Sequence, residues 1–358
     1  MAVHQRRCYF LTALCKSRSS SGDYRSWLFF TFFNMPAISA TFPGKVILFG
    51  EHAVVYGSHA IAIPVNQVHS RVVITPIITS SAGYIDIIAP DINFHQDLLS
   101  LDDDNPLAFA IRSTLRKLGI SKSPAFTIRI TSDIPIASGM GSGASISCSI
   151  AKAVSTFLGK PLTTPEISEV AYEVEKLHHG TPSGVDNTVI AFNQPIVYKR
   201  SENPVKLLTG VRLHFVIADS GMKSLTSQAV GAVSMNREQD KPHFDTLFQA
   251  IDQVVMDAVE AIRSGDAHKI GSLMQENQEL LQKVGVSNPT LEKLISAAIN
   301  NGAYGAKLSG AGMGGNIIVL VTDDLIENIQ TSLLQAGAVR VFQTTLEMDN
   351  LNRQGSNG

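Results

Sequence analysis

A glycine-rich stretch in the first half of the chain has the composition of a phosphate-binding loop. Residues 138–145 read SGMGSGAS and lie between an alternating strand pattern and a helix pattern. The three glycines let a ligand approach the backbone closely and leave amide N–H groups free, and the positive end of the following helix would attract an anion. The stretch therefore predicts a phosphate site; a tight strand–helix connection without a ligand is the alternative.

Two common nucleotide-binding motifs do not fit this stretch. Gly139-x-Gly141-x-x-Ala144 matches the dinucleotide fingerprint in form, but that fingerprint requires an acidic residue at the end of the next strand, about 20 positions later. The acid nearest that distance, Glu166, follows Pro165 in the first turn of a predicted helix. The P-loop sequence GxxxxGK[ST] is absent from the chain. Neither a Rossmann site nor a P-loop site is therefore favoured.

A second glycine-rich loop lies near the end of the chain, where residues 309–315 read SGAGMGG before a strand pattern. A glycine inside regular structure is unfavourable by about 0.5–1 kcal/mol because of its chain entropy. The use of four glycines here favours close packing of the loop against a neighbouring domain or a ligand over a flexible hairpin. These four residues are Gly310, Gly312, Gly314 and Gly315.

The elements that must position both loops are a mixture of helices and strands. Apolar spacing predicts helices at 105–118, from the first loop to Gly159, and at 164–179, 244–264, 267–284, 290–301 and 324–336. Alternating and β-branched runs predict strands at 46–49, 60–65, 72–78, 125–136, 317–321 and 339–346, and a strand pair near 188–219. Because strands and helices do not alternate regularly, the pattern favours an α+β fold. A polar segment ending in Pro204 predicts a domain boundary near 200–210.

The composition excludes several classes of protein. Of 358 residues, 44% are hydrophobic and 17% charged, which excludes a disordered chain. The 29 basic and 31 acidic residues provide no basic surface for nucleic acid or an anionic membrane. No apolar run approaches the roughly 18–20 residues of a membrane-spanning helix. The three cysteines, Cys8, Cys15 and Cys148, lack metal-ligand spacing. We therefore expect a soluble, cytoplasmic protein without nucleic-acid or membrane partners.

The first 34 residues differ from the rest of the chain. They contain five basic residues, a single acid (Asp23) and the only tryptophan, Trp27. An Arg- and Ser-rich, acid-poor segment is compatible with a transit peptide, and a secretory signal is a second alternative. We expect instead a disordered or non-native extension, with initiation at Met35.

Three segments together resemble the GHMP kinases, which phosphorylate small alcohols with ATP and lack a Walker loop. They are PGKVILFGEHAVVYG at 43–57, IPIASGMGSGASIS at 134–147 and KLSGAGMGG at 307–315. Within that superfamily, GEHAVVYG at 50–57 and HHGTPSGVDN at 178–187 look most like the mevalonate kinase branch. The resemblance extends from about Ala37 to residue 346.

The resemblance implies a two-domain α+β fold. An N-terminal domain of the ribosomal protein S5 domain 2 type is expected over 35–205, and a ferredoxin-like C-terminal domain over 206–350. The active site would lie in the cleft between them, with the second glycine loop bracing the first. A homodimer is also implied. The expected substrates are ATP, bound with Mg²⁺, and a small alcohol.

The resemblance also implies roles for individual residues in phosphoryl transfer. Asp186 matches the catalytic aspartate, and a carboxylate facing an alcohol can accept its proton. Lys45 matches the lysine that would hold Asp186 ionised and offset charge on the transferring group. The ATP-binding residues would be Pro135, Ala137, Ser138, Gly139, Met140, Gly141, Ser142, Gly143, Ala144 and Ser145.

A magnesium site and an acceptor site complete the set implied by the resemblance. Glu175 matches the magnesium-binding glutamate, and one carboxylate with a hydroxyl suits Mg²⁺ when phosphates supply further oxygens. Relatives commonly have two consecutive serines where this chain has Ser142-Gly143, so Ser142 or a water would supply the hydroxyl ligand. The acceptor-side residues would be Glu51, His52, Asn66 and Thr226.

The reaction that the resemblance implies is phosphorylation of the terminal hydroxyl of mevalonate, giving 5-phosphomevalonate and ADP for isoprenoid precursor biosynthesis. One alternative is the same fold acting on phosphomevalonate, homoserine or a sugar. Another is a non-catalytic protein that binds a nucleotide or metabolite in the same cleft.

Overall fold

The computed structural model of the chain describes residues 37–349, except residues 137, 180, 181 and 225 and the side chains of His178 and His179. These residues belong to one compact unit. They form a mixture of helices and sheets, as the irregular order of the sequence patterns predicted. The N-terminal extension lies outside the described residues, and the division at 205/206 stays a prediction.

The first sheet contains the strand on which Lys45 lies. Its strands are β1 Ile38–Phe49, β2 Ala60–Pro76, β3 Ile85–Ala89, β4 Phe94–Asp97, β5 Phe126–Ser132, β6 Ile196–Tyr198 and β7 Val205–Lys206, with Lys45 on β1. The order in the sheet is β4-β3-β5-β2-β6-β7, and β1 pairs with β2 in antiparallel orientation. The segments 60–65 and 72–78 were predicted as two strands, but they belong to the single strand β2, because its pairing with β1 resumes after an irregularity near residues 66–68.

Four helices lie between the strands of this sheet in chain order: α1 Pro106–Lys117, α2 Ser142–Phe157, α3 Thr164–His179 and α4 Val185–Phe192. Helix α2 packs on β1 and β2 and so fixes the first glycine loop relative to Lys45. The strand predicted to begin near 188 is wrong at its start, because residues 185–192 are the helix α4. Gly184 precedes it with a φ of +90°, and six of its eight residues are buried, including Val185, Val189 and Ile190.

The second sheet is antiparallel and consists of β8 Leu213–Asp219, β9 Gly305–Ser309, β10 Asn316–Val321 and β11 Arg340–Leu346. Its order is β11-β8-β10-β9, and the second glycine loop joins β9 to β10. The helices of this part are α5 Thr226–Gln239, α6 Lys241–Ser264, α7 Ala267–Val284, α8 Pro289–Asn300 and α9 Ile326–Ala336. The sequence patterns missed α5, of which only Ala229 and Val233 are buried, and the short strand β9.

A direct contact between β1 and β9 joins the two sheets. The Ser309 hydroxyl accepts a hydrogen bond from the Ile47 N–H at 3.0 Å and donates one to the Ile47 carbonyl at 2.8 Å. The largest hydrophobic core contains residues of both sheets, including Phe49 and Phe215. This junction brings both glycine loops to one cleft. Among the described helices, none has the length and apolar character needed to cross a membrane.

Candidate active site

A lysine and an aspartate from distant parts of the chain form an ion pair in this cleft. Lys45 Nζ lies 2.9 Å from Asp186 Oδ1, and the two side chains are 4% and 27% exposed. Asp186 lies in the first turn of α4. The Lys45 backbone N–H donates to the Met140 carbonyl at 3.0 Å, which holds β1 against the first glycine loop. The predicted pair of residues is therefore assembled.

The first glycine loop borders a cavity of about 330 Å³. Gly141 has a φ of +74° and begins α2, and a Cβ there would lie 2.8 Å from Ile190 and 3.0 Å from Lys45 Cγ. Only glycine fits this backbone and this close approach. The cavity lies at the start of α2, where unpaired N–H groups and the helix dipole attract anions. The predicted ATP-binding residues on its wall are Pro135, Gly139, Met140, Gly141, Ser142, Gly143 and Ala144.

The other predicted ATP-binding residues do not line this cavity in the structure. Ser138 is buried, and its hydroxyl donates to the Pro135 carbonyl at 2.9 Å. Ser145 is fully buried, and its hydroxyl donates to the Phe42 carbonyl at 2.9 Å, because its position on α2 faces the first sheet. Both side chains therefore support the loop from behind. Residue 137 lies outside the described residues.

Glu175 and Ser142, the two predicted magnesium ligands, line the same cavity. Burial and the neighbouring Asp186 carboxylate raise the pKa of Glu175 to about 8, against a smaller opposing effect of Lys45. A bound cation would offset the electrostatic repulsion between the carboxyl groups of Glu175 and Asp186. Among the described residues, no group of three or more His, Cys, Asp or Glu is arranged to hold a metal ion.

A second cavity of about 90 Å³ adjoins the first and shares Gly139, Asp186 and Thr226 with it. Its polar wall includes Lys45, together with His52 and Thr226, two of the residues expected on the acceptor side. The apolar part of the wall consists of Ile47, Val54, Val55, Val230 and Ala311. Asp186 therefore borders both spaces, one beside the glycine loop and one suited to a small, partly apolar molecule.

His52 contributes a neutral ring to the smaller cavity. The ring is 5% exposed, and Nε2 lies 2.9 Å from the Ala311 carbonyl of the second glycine loop, to which it donates as the N–H tautomer. Burial lowers the pKa of His52, although the hydrogen bond to Ala311 opposes this effect. The neutral form leaves Nδ1 as an acceptor, which suits a hydroxyl donor more than a carboxylate.

The structure does not bring Glu51 and Asn66 to either cavity, which corrects their expected place on the acceptor side. Glu51 is fully buried and forms an ion pair with Lys307 of β9, so its carboxylate is directed into the interior. Asn66 is exposed at the irregularity of β2, where the pairing with β1 shifts.

The second glycine loop packs against the first, as the resemblance implied. A Cβ on Gly315, where φ is +74°, would lie 2.9 Å from the Ser138 carbonyl, and the Asn316 side-chain amide donates to the same carbonyl at 2.6 Å. Of the four glycines, only Gly310 lines the smaller cavity; Gly312 packs on Val286 and Gly314 on Met222. Asn316 and Lys307 were missed, although Lys307 lies inside the KLSGAGMGG segment.

The chain matches two family descriptions in the order of the motifs. These are GHMP kinases N terminal domain over residues 105–194 and GHMP kinases C terminal over residues 258–339. Among curated proteins, a mevalonate kinase of Aeropyrum pernix is 34% identical over 312 residues, which cover 84% of this chain and 94% of the relative.

Solved structures give the same result at the level of the fold. The Methanococcus jannaschii mevalonate kinase superimposes with a TM-score of 0.76 at 30% identity, covering 88% of this chain and 99% of that one. The L. major mevalonate kinase in complex with R-mevalonate has a TM-score of 0.73 at 28% identity, covering 87% and 96%. These similarities confirm the family resemblance and the fold that the three motifs predicted.

Proposed function

The chain belongs to the GHMP kinase family, and from this premise we propose that it transfers the γ-phosphoryl group of ATP to the terminal hydroxyl of mevalonate. The products are 5-phosphomevalonate and ADP, and the reaction serves isoprenoid precursor biosynthesis. The curated and solved relatives named above, which are mevalonate kinases, support this acceptor.

The observation that carries the proposal is the place of the Asp186–Lys45 pair at the boundary of two adjoining cavities. The larger cavity has the glycine loop and the start of α2, which suit the phosphates of ATP. The smaller one has the size and mixed polarity for a short hydroxy acid. Transfer between them requires reacting groups to be held in line at that boundary, which is where the pair lies.

In the proposed mechanism, Asp186 accepts the proton of the attacking hydroxyl, and Lys45 stabilises negative charge on the transferring phosphoryl group. Thr226 and His52 orient the acceptor from opposite elements, α5 and the turn after β1. The nearly complete burial of Lys45 strengthens its electrostatic effect.

We propose Glu175 and Ser142 as the residues that hold Mg²⁺. Their oxygens belong to the donor class that Mg²⁺ prefers, and ATP phosphates supply the remaining ligands. The place of Glu175 and Asp186 on the wall of one cavity supports a cation at this position, because it would offset the repulsion between the two carboxyl groups. When bound, Mg²⁺ neutralises charge on the phosphate oxygens.

The proposed function is tested by measuring ADP release with ATP, magnesium and a panel of alcohols. We expect turnover with mevalonate and none, or far less, with phosphomevalonate, homoserine and galactose. A higher kcat/KM for another alcohol would replace the acceptor. Binding of ATP without turnover on any acceptor would reject the enzyme function.

Single substitutions test the roles of the ion pair. Asp186→Asn should lower kcat by about 10²–10⁴-fold, the range for loss of a general base. Lys45→Met should lower it by about 10²–10³-fold, as for loss of a group that stabilises transition-state charge. The matched controls are Asp324→Asn and Lys293→Met, which change exposed residues outside both cavities. Rates like those of the wild type in either site variant, with folding confirmed by circular dichroism, would reject the assigned roles.

Two further features of the proposal rest on the resemblance. We propose that the protein is a homodimer and acts in the cytoplasm. Light scattering of the purified protein and fractionation of its native cells test these statements, and a monomer or a membrane-bound pool would contradict them.

A further inference from the structure

A second ion pair lies behind the acceptor cavity and lines neither cavity. Lys307 of β9 and Glu51 of the turn after β1 are both fully buried and form a direct salt bridge, although they are 256 positions apart in the chain. Lys307 Nζ also donates to the Leu308 carbonyl at 2.6 Å. A buried ion pair is often no more stabilising than apolar residues of the same volume, so stability alone does not account for it.

The pair belongs to a set of contacts between residues 47–52 and residues 307–311. Ser309 binds the backbone of Ile47, Lys307 binds Glu51, and the Ala311 carbonyl accepts from His52. His52 has a φ of +61°, which is unusual for a residue other than glycine. The backbone on either side of His52 must therefore be held by its neighbours, and Glu51 is the immediate one.

The Lys307–Glu51 pair also affects how the charge of Lys45 is distributed. The charged groups that face Glu51 are Lys307 on β9 and Lys45 on β1, and both favour its carboxylate form against the effect of burial, which raises its pKa. Without Lys307, Lys45 would be the remaining cation near Glu51. Lys45 would then be shared between Glu51 and Asp186, and less of its charge would act on the reacting groups.

Helix α7 also contacts the turn that carries Glu51. Glu51 Oε2 and Asn277 Nδ2 are both buried without a hydrogen-bond partner among the described residues. The side-chain Oδ1 of Asn277 accepts from the Gly50 N–H at 3.4 Å, which ties α7 to the residue before Glu51.

We propose that Lys307 is a positioning residue for the acceptor side of the site: through Glu51 it holds His52 at the cavity and leaves the charge of Lys45 to Asp186. The inference rests on the proposed function for its kinetic consequences only. It concerns a residue that touches neither substrate nor Asp186.

The first test compares Lys307→Met, Glu51→Gln and the double variant with the wild type. Lys307→Met should lower kcat/KM for mevalonate by about 30-fold or more, as for loss of one partner of a buried charge pair, while the dissociation constant of ATP stays unchanged. The double variant should recover about tenfold of that loss, because no uncompensated carboxylate remains beside Lys45. Lys206→Met, which breaks the surface pair with Asp349, is the matched control and should behave as the wild type.

Dependence on pH separates positioning from a purely structural role. In Lys307→Met, Glu51 has lost its counter-ion. Protonation of Glu51 then removes the negative charge that competes with Asp186 for Lys45. The ratio of variant to wild-type kcat should therefore rise as the pH falls and decline as it rises, and the double variant should show no such trend. A ratio that is constant with pH, or a double variant as impaired as Lys307→Met, would overturn the inference.

A measurement on the protein without substrate tests the inference whichever alcohol is the acceptor. In ¹⁵N NMR spectra of the histidine rings, the His52 Nε2–H should exchange with solvent slowly in the wild type and at least about tenfold faster in Lys307→Met, because the hydrogen bond to Ala311 is loosened. If Lys307→Met does not fold, the double variant is measured instead, with the same expectation. Unchanged exchange overturns the positioning role, whereas failure of the wild type on mevalonate alone rejects only the proposed function.

Discussion

Two ion pairs, one at the cleft and one behind it, each join charged side chains from distant parts of the chain. Lys45 faces Asp186, and Lys307 faces Glu51. The first pair borders the cavities and the second is fully buried. Because charges interact strongly where water is excluded, the second pair affects how much of the Lys45 charge remains available at the first.

His52 provides a pH-dependent test at the scale of a single residue. Burial holds its pKa below the ordinary value of about 6.5. As the pH falls, the unfolded chain therefore binds a proton at this position at a higher pH than the folded protein does. The stabilising effect of the neutral ring is present above about pH 6.5 and is lost as the pH falls through the pKa of His52 in the folded protein.

We expect the free energy of unfolding of the wild type to fall more steeply below pH 6.5 than that of His52→Gln, by at most about 1.4 kcal/mol per pH unit. Gln can still donate to the Ala311 carbonyl but does not titrate. Urea unfolding at several pH values between 5 and 8 measures the difference. Parallel curves for the two proteins would show that His52 is not held neutral by the fold.

The start of α2 is the element on which the phosphate side of the site depends. A buried hydroxyl cluster anchors it: Ser70 Oγ lies 2.7 Å from Ser145 Oγ and 2.8 Å from Ser149 Oγ. This cluster joins α2 to β2, while Gly141 packs on the Lys45 side chain at the cavity. The helix is thus tied to β2, and the loop residue before it packs against Lys45.

The substitution Gly141→Ala tests this element. A residue with a Cβ in the left-handed region is unfavourable by about 1–2 kcal/mol, and here the Cβ would also collide with Ile190 and Lys45. Gly159→Ala is the matched control, because Gly159 ends the same helix with a φ of +70° and open space around it. Both variants should lose similar stability from the backbone, but Gly141→Ala should also lose at least about tenfold in kcat by displacing Lys45. Equal activity of the two variants would contradict this role of Gly141.

At the scale of the whole molecule, the cleft exists because the two sheets meet along β1 and β9 and the two glycine loops meet at Ser138. Gly315 and Asn316 contact the Ser138 carbonyl, and the Ser224 hydroxyl donates to the Gly312 carbonyl at 2.8 Å. The start of α5, which lines both cavities, is therefore tied to the second loop, and the second loop to the first.

We expect Gly315→Ala to raise KM for ATP by about tenfold, because its Cβ would press on the Ser138 carbonyl and Ser224 Cβ and displace the first loop. Gly285→Ala is the control: its φ is +86°, and a Cβ there meets nothing within 4 Å. The control should lose about 1–2 kcal/mol of stability without a change in KM. Steady-state kinetics with varied ATP and urea unfolding separate the two effects, and an unchanged KM in Gly315→Ala would show that the second loop does not brace the first.

The long amphipathic helices, the mixed α+β class, the two glycine loops and the family could all be predicted from the amino-acid sequence. These features depend on local periodicity and on motif residues in a given order, which a linear sequence displays directly. It did not determine α4 or α5. Residues 188–192 are buried on most sides, and α5 buries only two apolar residues, so neither has a clear helical stripe.

Only the tertiary structure decided which side chains face the cleft. Glu51 and His52 are adjacent in sequence, yet one points into the interior towards Lys307 and the other lines the smaller cavity. Ser142 and Ser145 are three positions apart on α2, and only Ser142 borders the larger cavity. Such differences depend on how distant strands pack, because the partner of each side chain comes from a segment far away in the chain.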